Sequence, residues 1–432
     1  TMPARERGGQ VSDPARTHSH GHVVVIGGGG TGGAILHDLV SRGFTATLVE
    51  RGELTSGTTG RHHGQLHSGA RYAVGDCEIA RECMDEVRIL QRIAPEALEM
   101  NFGLFVALNE EDVAFGAEFI NACQEATIPA REIPVERALA MEPHLNPAIR
   151  MAVQVPDGTI DAWRLPLHFF STARAAGADV RTYTDVVEVT RANGSVTGVT
   201  VRNRATDEEY HISADLVVSA TGAWAGHVAA RAGLELPVTP APGTMVAVKK
   251  RLNNMVISHL HRAGDGDIIV PQRGLSIIGS TQWQTDDPDT VAVPAEDITY
   301  LTGRAAELIT AFTDTPFHAA WSASRPLAGS AGTVEDGRRL SRDFLAIDHG
   351  PEDGLSGFVS VIGGKATVLR AMAEQTVDLV CELVGVDERC RTAETPLLPH
   401  RAYYNRALAP PPGAAVPAGS AAGTAPMTES SS

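Results

Sequence analysis

The sequence predicts an α/β protein in two parts, one built on a parallel sheet and the other on a mostly antiparallel sheet with flanking helices. Three observations predict it. An apolar run at residues 22–26 (HVVVI) leads through a glycine-rich turn into a helix-like stretch and a second apolar strand, the pattern of a βαβ unit. Strand-like pieces between residues 236 and 282 (GTMVAVK, GDIIVP, LSIIGS) follow one another without helices, as in antiparallel sheets. The length of 432 residues allows two or three domains, or one large α/β unit with an inserted partner.

Each element has its own signal. Residues 22–26 are apolar throughout, as a strand buried on both faces requires. The helix is expected over residues 32–41 with Gly43 as its stop, and the next strand over residues 45–50 (TATLVE). A second block begins near Arg174, where VVEVT and VTGVTVR flank Asn193-Gly194, a strong hairpin signal. A third strand of this block is expected at residues 212–220. Residues 357–362 (GFVSVI) give a last strand, followed by Gly363-Gly364-Lys365 and a helical pattern through Leu383. Residues 1–20 are polar and lack the apolar stretch of a signal peptide. Residues 408–432 are mostly Ala, Pro, Gly, Ser and Thr, so both ends are expected to be disordered tails.

Composition narrows the function. With 36 Lys and Arg against 52 Asp and Glu the net charge is −16, which argues against nucleic acid or an anionic membrane as partner. No window approaches the roughly 18 apolar residues of a membrane span. Five scattered cysteines without CxxC spacing make neither a disulfide framework nor a zinc site, and a cytoplasmic location is expected.

The segment Gly27-Gly28-Gly29-Gly30-Thr31-Gly32 fits G-x-G-x-x-G between a buried strand and a helix. Gly27 permits the tight turn, Gly29 lets backbone approach a pyrophosphate, and Gly32 lets helix and strand pack closely. Glu50 ends the next strand 18 positions later, where an acid can accept from a ribose hydroxyl. The first part is therefore Rossmann-like. A Gly/Thr/His loop at residues 57–72 (GTTGRHHGQLHSGARY) follows, and small residues there let the backbone cover a flavin. His62, His63 and His67 carry no following Glu and lie in a segment too glycine-rich for a helix, so no metal is expected.

GGGGTGGAILHDLVSRG, LVERGELTSGTTGRHHGQLHSGARYAV, SASRPLAG, SRDF and VIGGKATVLRAMAE together resemble FAD-dependent glycerol-3-phosphate dehydrogenases of the D-amino-acid-oxidase-like flavoprotein superfamily, above all the large catalytic subunit of the anaerobic bacterial enzyme. The resemblance runs over residues 21–398. It implies a FAD-binding domain from residues 21–75, 155–230 and 340–398, and a substrate-binding domain from residues 76–154 and 231–339.

The resemblance also implies roles. Gly27, Gly29, Thr31, Gly32, Glu50 and Arg51 match ADP-binding positions, and Thr58, Thr59, Gln65 and His67 match the loop around the flavin. Val187 matches the position whose backbone meets adenine, and Ala220 and Gly222 match a turn near the pyrophosphate. Gly363, Gly364, Lys365, Ala366 and Thr367 match the last FAD contact, where a helix N-terminus and a cation stabilise negative charge on the reduced ring. Arg71, Arg325 and Arg342 match arginines around a substrate phosphate, with Tyr72 beside them. Catalytic roles fall to His67 as base, Lys365 and Arg325.

Four departures accompany it. Met245 stands where single-chain relatives carry a histidine base. Gly243 stands where relatives commonly carry lysine, and Leu36-His37 where they carry a basic residue. The relatives' Cys-rich continuation is not seen, so oxygen, a quinone or an electron-transfer protein is open as acceptor, and a homo-oligomer is open too. The expected activity is FAD-dependent oxidation of the C–OH of a small phosphate- or phosphonate-bearing alcohol by hydride transfer to flavin N5, glycerol 3-phosphate to dihydroxyacetone phosphate first. The alternatives are oxidation of an amine or N-substituted amino acid on the same fold, and a non-catalytic flavin-binding regulatory subunit.

Overall fold

The computed structural model describes residues 19–262, 264–328 and 344–405. Strand β1 (His22–Ile26) enters helix α1 (Gly30–Ser41) and returns as β2 (Thr45–Val49), paired in parallel from His22–Thr45 to Ile26–Val49. The helix starts two residues before its expected start, because Gly30 and Thr31 already belong to its first turn. It ends as expected, with Gly43 at φ +85°.

A six-stranded sheet collects Phe344–Asp348, Phe358–Gly363, Leu216–Ser219, β1, β2 and Asp179–Arg181, in that order. All neighbours are parallel except the first pair. On one face α1 packs between helices Arg164–Ala175 and Leu369–Val384. Gly33 permits this closeness, since a Cβ there would lie 2.9 Å from the Phe170 ring. The other face is covered by the hairpin sheet Thr184–Ala192, Ser195–Asn203 and Glu209–Ser213. Its turn is Asn193-Gly194 with both residues at positive φ, as a type I′ turn demands.

The strand expected at residues 212–220 is two strands in two sheets. Glu209–Ser213 closes the hairpin sheet, and Leu216–Ser219 joins the parallel sheet beside β1. Asp215 makes the corner: its carboxylate accepts the His22 N–H at 2.7 Å and its own N–H donates to the His22 carbonyl at 2.9 Å.

The second large sheet has eight strands, in the order Phe317–Ala328, Val238–Val248, Leu275–Gly279, Ile268–Gln272, Val256–His259, Gly103–Ala107, Met151–Val155 and Arg131–Ile133. Its pairs are antiparallel except Val256–His259 with Gly103–Ala107. Helices Glu110–Glu125 and Ala295–Leu308 flank it. The fold is thus mixed α/β. Among the described residues no helix is long and apolar enough to cross a membrane.

Candidate active site

A cavity of about 790 Å³ opens where the parallel strands end and the eight-stranded sheet faces them. Its first end is made mostly of backbone. Gly27 holds φ +109°, and a Cβ on it would lie 2.6 Å from the Ala220 carbonyl oxygen; a Cβ on Gly32 would lie 1.9 Å from the Gly27 oxygen. Only glycine fits either place. No side chain caps α1 at Gly29, and the Gly30 N–H donates to Thr59 Oγ1 at 3.0 Å. Glu50 is aimed by two backbone bonds, from Gly28 N–H and Gly52 N–H, each 2.7 Å. A helix start whose own N-cap is a bare glycine and a fixed carboxylate make a place for a dinucleotide's phosphates and ribose.

Arg51 does not stand alone beside this cradle. Its guanidinium pairs with Asp289 at 2.5 Å and stacks 4.6 Å from the Trp224 ring centroid, while Trp224 Nε1 donates to Asp289 at 2.9 Å. Trp224 and Asp289 line the cavity, and no local motif in the sequence marks either. Thr58 donates to the Ser324 carbonyl at 2.6 Å, tying the glycine-rich loop to the second sheet. Thr31, Ala220, Gly222, Gly363, Gly364 and Ala366 also lie on the cavity wall. Val187 does not: its side chain is 37% exposed, and Thr184, Asp185 and Val186 form the wall there. Thr367 is buried beneath it, where its hydroxyl accepts the His67 N–H at 3.1 Å.

The other end is built from side chains. His63, Gln65, His67, Arg71, Lys365 and Arg325 share one wall. Gln65 donates to the buried Asp157 at 2.9 Å, and its Oε1 has no hydrogen-bond partner among the described residues. The Lys365 ammonium sits 5.1 Å from the centroid of Tyr72. Arg325 donates to Ser280 Oγ and to the Ala241 carbonyl. Gly243 makes room for it, because a Cβ there would lie 2.7 Å from Arg325 Nη1 and 2.2 Å from the Thr281 oxygen. A lysine at 243 would occupy the space the guanidinium takes. Arg71 donates to the Gly264 carbonyl at 2.7 Å and pairs with Asp267 at 3.2 Å. Burial works against the Asp267 charge, but the His261 hydrogen bond and the charges of Arg71 and His261 outweigh it and hold the carboxyl at about 2. Arg342 lies outside the described residues.

The histidines have defined states. Burial, then His62, Arg325 and Arg71, push His63 down to about 3. Burial, then His63, Arg71 and Lys365, hold His67 well below its ordinary value. Both are neutral. His63 Nδ1 accepts the Gln65 N–H at 3.1 Å, so its proton resides on Nε2 and that atom is a donor. The His67 ring stands 6.1 Å from His63 and 5.5 Å from Tyr72.

One further constellation has nucleophile-like order but not access. His349 meets Asp353 at 2.6 Å and Ser360 at 2.9 Å, yet Ser360 is fully buried in its strand. It fastens the strand Phe358–Gly363 and cannot meet a substrate.

Residues 22–369 match the DAO family, FAD dependent oxidoreductase. The chain belongs to this family. It is 41% identical over 377 residues to a subunit of the anaerobic glycerol-3-phosphate dehydrogenase of Escherichia coli (strain K12), covering 87% of this chain and 69% of that protein. Among solved structures, glycine oxidase from Geobacillus kaustophilus is similar with a TM-score of 0.68 at 25% identity, covering 88% of this chain and 98% of the other. A glycerol-3-phosphate dehydrogenase from Bacillus halodurans complexed with FAD has a TM-score of 0.65 at 24% identity, covering 89% and 68%. This FAD-dependent oxidoreductase carries its family's cofactor requirement in its own geometry, since a Cβ at Gly27 or Gly32 would close the cradle that Glu50 completes.

Proposed function

We propose that this oxidoreductase oxidises the secondary alcohol of a small phosphorylated substrate, glycerol 3-phosphate to dihydroxyacetone phosphate before others. One observation carries this reading: Arg71 and Arg325, from segments far apart in sequence, line the same cavity as His63 and His67. Two cations beside neutral imidazoles suit a dianion with a hydroxyl to be deprotonated. FAD, when bound, supplies the two-electron acceptor.

The chain's own groups then divide the work. Arg325, held by Ser280, and Arg71, held by Asp267, grip the phosphate as planar forks. The His63 Nε2–H donates to a substrate oxygen and orients it. His67, neutral, accepts the hydroxyl proton at a ring nitrogen, and the bound dianion raises its affinity for that proton by opposing the nearby cations. Lys365 and the turn behind it supply positive charge where negative charge accumulates.

The likeness to glycine oxidase keeps amine oxidation as a second reading, because arginine grips a carboxylate equally well. One assay separates the two. Glycerol 3-phosphate added anaerobically to the FAD-loaded protein is expected to bleach the flavin, and Arg325→Ala to weaken substrate affinity about 10–100-fold with flavin content unchanged. Bleaching by glycine but by no phospho- or phosphono-alcohol overturns the main reading in favour of the second.

A further inference from the structure

Away from the cavity, three distant segments bring metal-ligating groups together. Glu96 lies in the turn Pro95–Ala97, His168 on the helix Arg164–Ala175, and His400 in the turn His400–Tyr403. One ligand atom from each lies within 4.8 Å of the other two. None of the three lines the flavin cavity.

The state of the imidazoles is what demands a ligand. His168 is 98% buried (2% exposed), yet neither of its ring nitrogens has a hydrogen-bond partner among the described residues. His400 Nδ1 is buried and unpartnered as well. The two rings face each other with centroids 5.5 Å apart at 52°. The Leu398 backbone lies close to the His168 ring and, with a slight turn of that ring, can hold only one of its two nitrogens, so the other still lacks a partner. Buried polar atoms in folded proteins almost always have partners, and a position meant only for packing would hold another Leu or Phe. The partner must therefore be something small that accepts imidazole lone pairs, and the nearby carboxylate says that it is positive.

We propose that Glu96, His168 and His400 bind one divalent transition-metal ion, zinc or a neighbouring first-row ion. Two imidazoles and a carboxylate are a ligand set such ions favour, with a water in the fourth place. In a zinc tetrahedron ligand atoms stand roughly 3.3 Å apart, so a small side-chain rotation closes the site. Arg401 pairs with Glu96 through one carboxylate oxygen at 3.4 Å and leaves the other oxygen for the ion. The Leu398 carbonyl is placed to accept the remaining His168 N–H, as the outer partner of a metal-bound imidazole does.

The ion fastens the C-terminal turn to the helix beneath it. That turn is already laid on the helix by Leu398 N–H to Thr172 Oγ1 and Arg174 to the Tyr403 carbonyl, both 2.9 Å. The same helix sends Leu165 and Pro166 into the flavin cavity wall, so the clamp braces the cofactor site from outside. The sequence did not expect a metal because no two of these ligands share a local motif.

The test uses the full chain, FAD-loaded and without a histidine tag, incubated with zinc and then desalted. Zinc by elemental analysis against flavin absorbance is expected at about one per chain. Glu96→Gln and His400→Ala are expected to reduce it to background with the flavin spectrum unchanged, and Glu96→Asp to restore part of it. Zinc is expected to raise the melting temperature of the parent chain and not of the two variants. Cobalt in place of zinc is expected to add absorption bands to the red of the flavin, lost in both variants. Background zinc in the parent chain, or the same stoichiometry in parent and variants, overturns the proposal.

Discussion

The two ends of the cavity are built by different means. At the dinucleotide end the wall is backbone, set by glycines within one βαβ unit, and a single atom added at Gly32 meets a carbonyl oxygen at 1.9 Å. At the histidine–arginine end the wall is side chain, with two of its cations held by partners from remote segments: Arg325 by Ser280, Arg71 by Asp267. The first is rigid and intolerant of any change. The second can be edited group by group.

That contrast yields graded expectations. Gly32→Ala is expected to cost more than about 4 kcal/mol and to give protein with almost no bound FAD, read by flavin absorbance per chain; near-normal flavin content would break the claim that this end tolerates no side chain. His67→Asn is expected to slow turnover about 10²–10⁴-fold while FAD stays bound. Because burial holds His67 below its ordinary value, it is already unprotonated through neutral pH. Set against the His67→Asn profile, so that the substrate phosphate's own ionisation at about pH 6 cancels, the kcat/KM profile of the parent should then show no His67 inflection near pH 6.5. A bend there present only in the parent would remove it as the neutral base.

Asp267→Asn addresses the side-chain end more gently. The carboxyl falls from 3.8 to about 2 on folding, so its ionised form stabilises the fold above about pH 4, and that stabilisation is lost as pH falls towards 2. The variant should be less stable than the parent at pH 7 by about 2 kcal/mol, with the difference shrinking in acid; denaturant titrations at several pH values read it. Arg51→Ala should matter least. The Arg51–Asp289 pair is half exposed, worth about 1 kcal/mol or less, so FAD affinity should weaken no more than about fivefold by fluorescence titration. A larger loss would show that side chains count at the backbone end too.

The same contrast separates what is legible along the chain from what only folding reveals. The glycine cradle, Glu50 and the Asn193-Gly194 turn are legible because neighbours along the chain determine them. Asp267, Ser280, Trp224 and Asp289 are not, because the packing of remote segments brings them in. Residues 212–220 read as one strand because nothing local marks Asp215 as a corner; its two bonds to His22 do so only after folding. Met245 and Gly243 look like losses from the relatives' pattern. Gly243 proves to be the gap through which Arg325 reaches the cavity.

The Thr58 bond to the Ser324 carbonyl joins the loop at the dinucleotide to the residue before Arg325. A group that pulls on Arg325 therefore pulls on the loop, and the loop in turn positions Arg325. Affinities at two sites coupled this way change by the same factor in both directions. The cofactor-free protein should thus bind an anionic ligand less well than the loaded one, and the ligand should tighten the cofactor's equilibrium binding by that same factor.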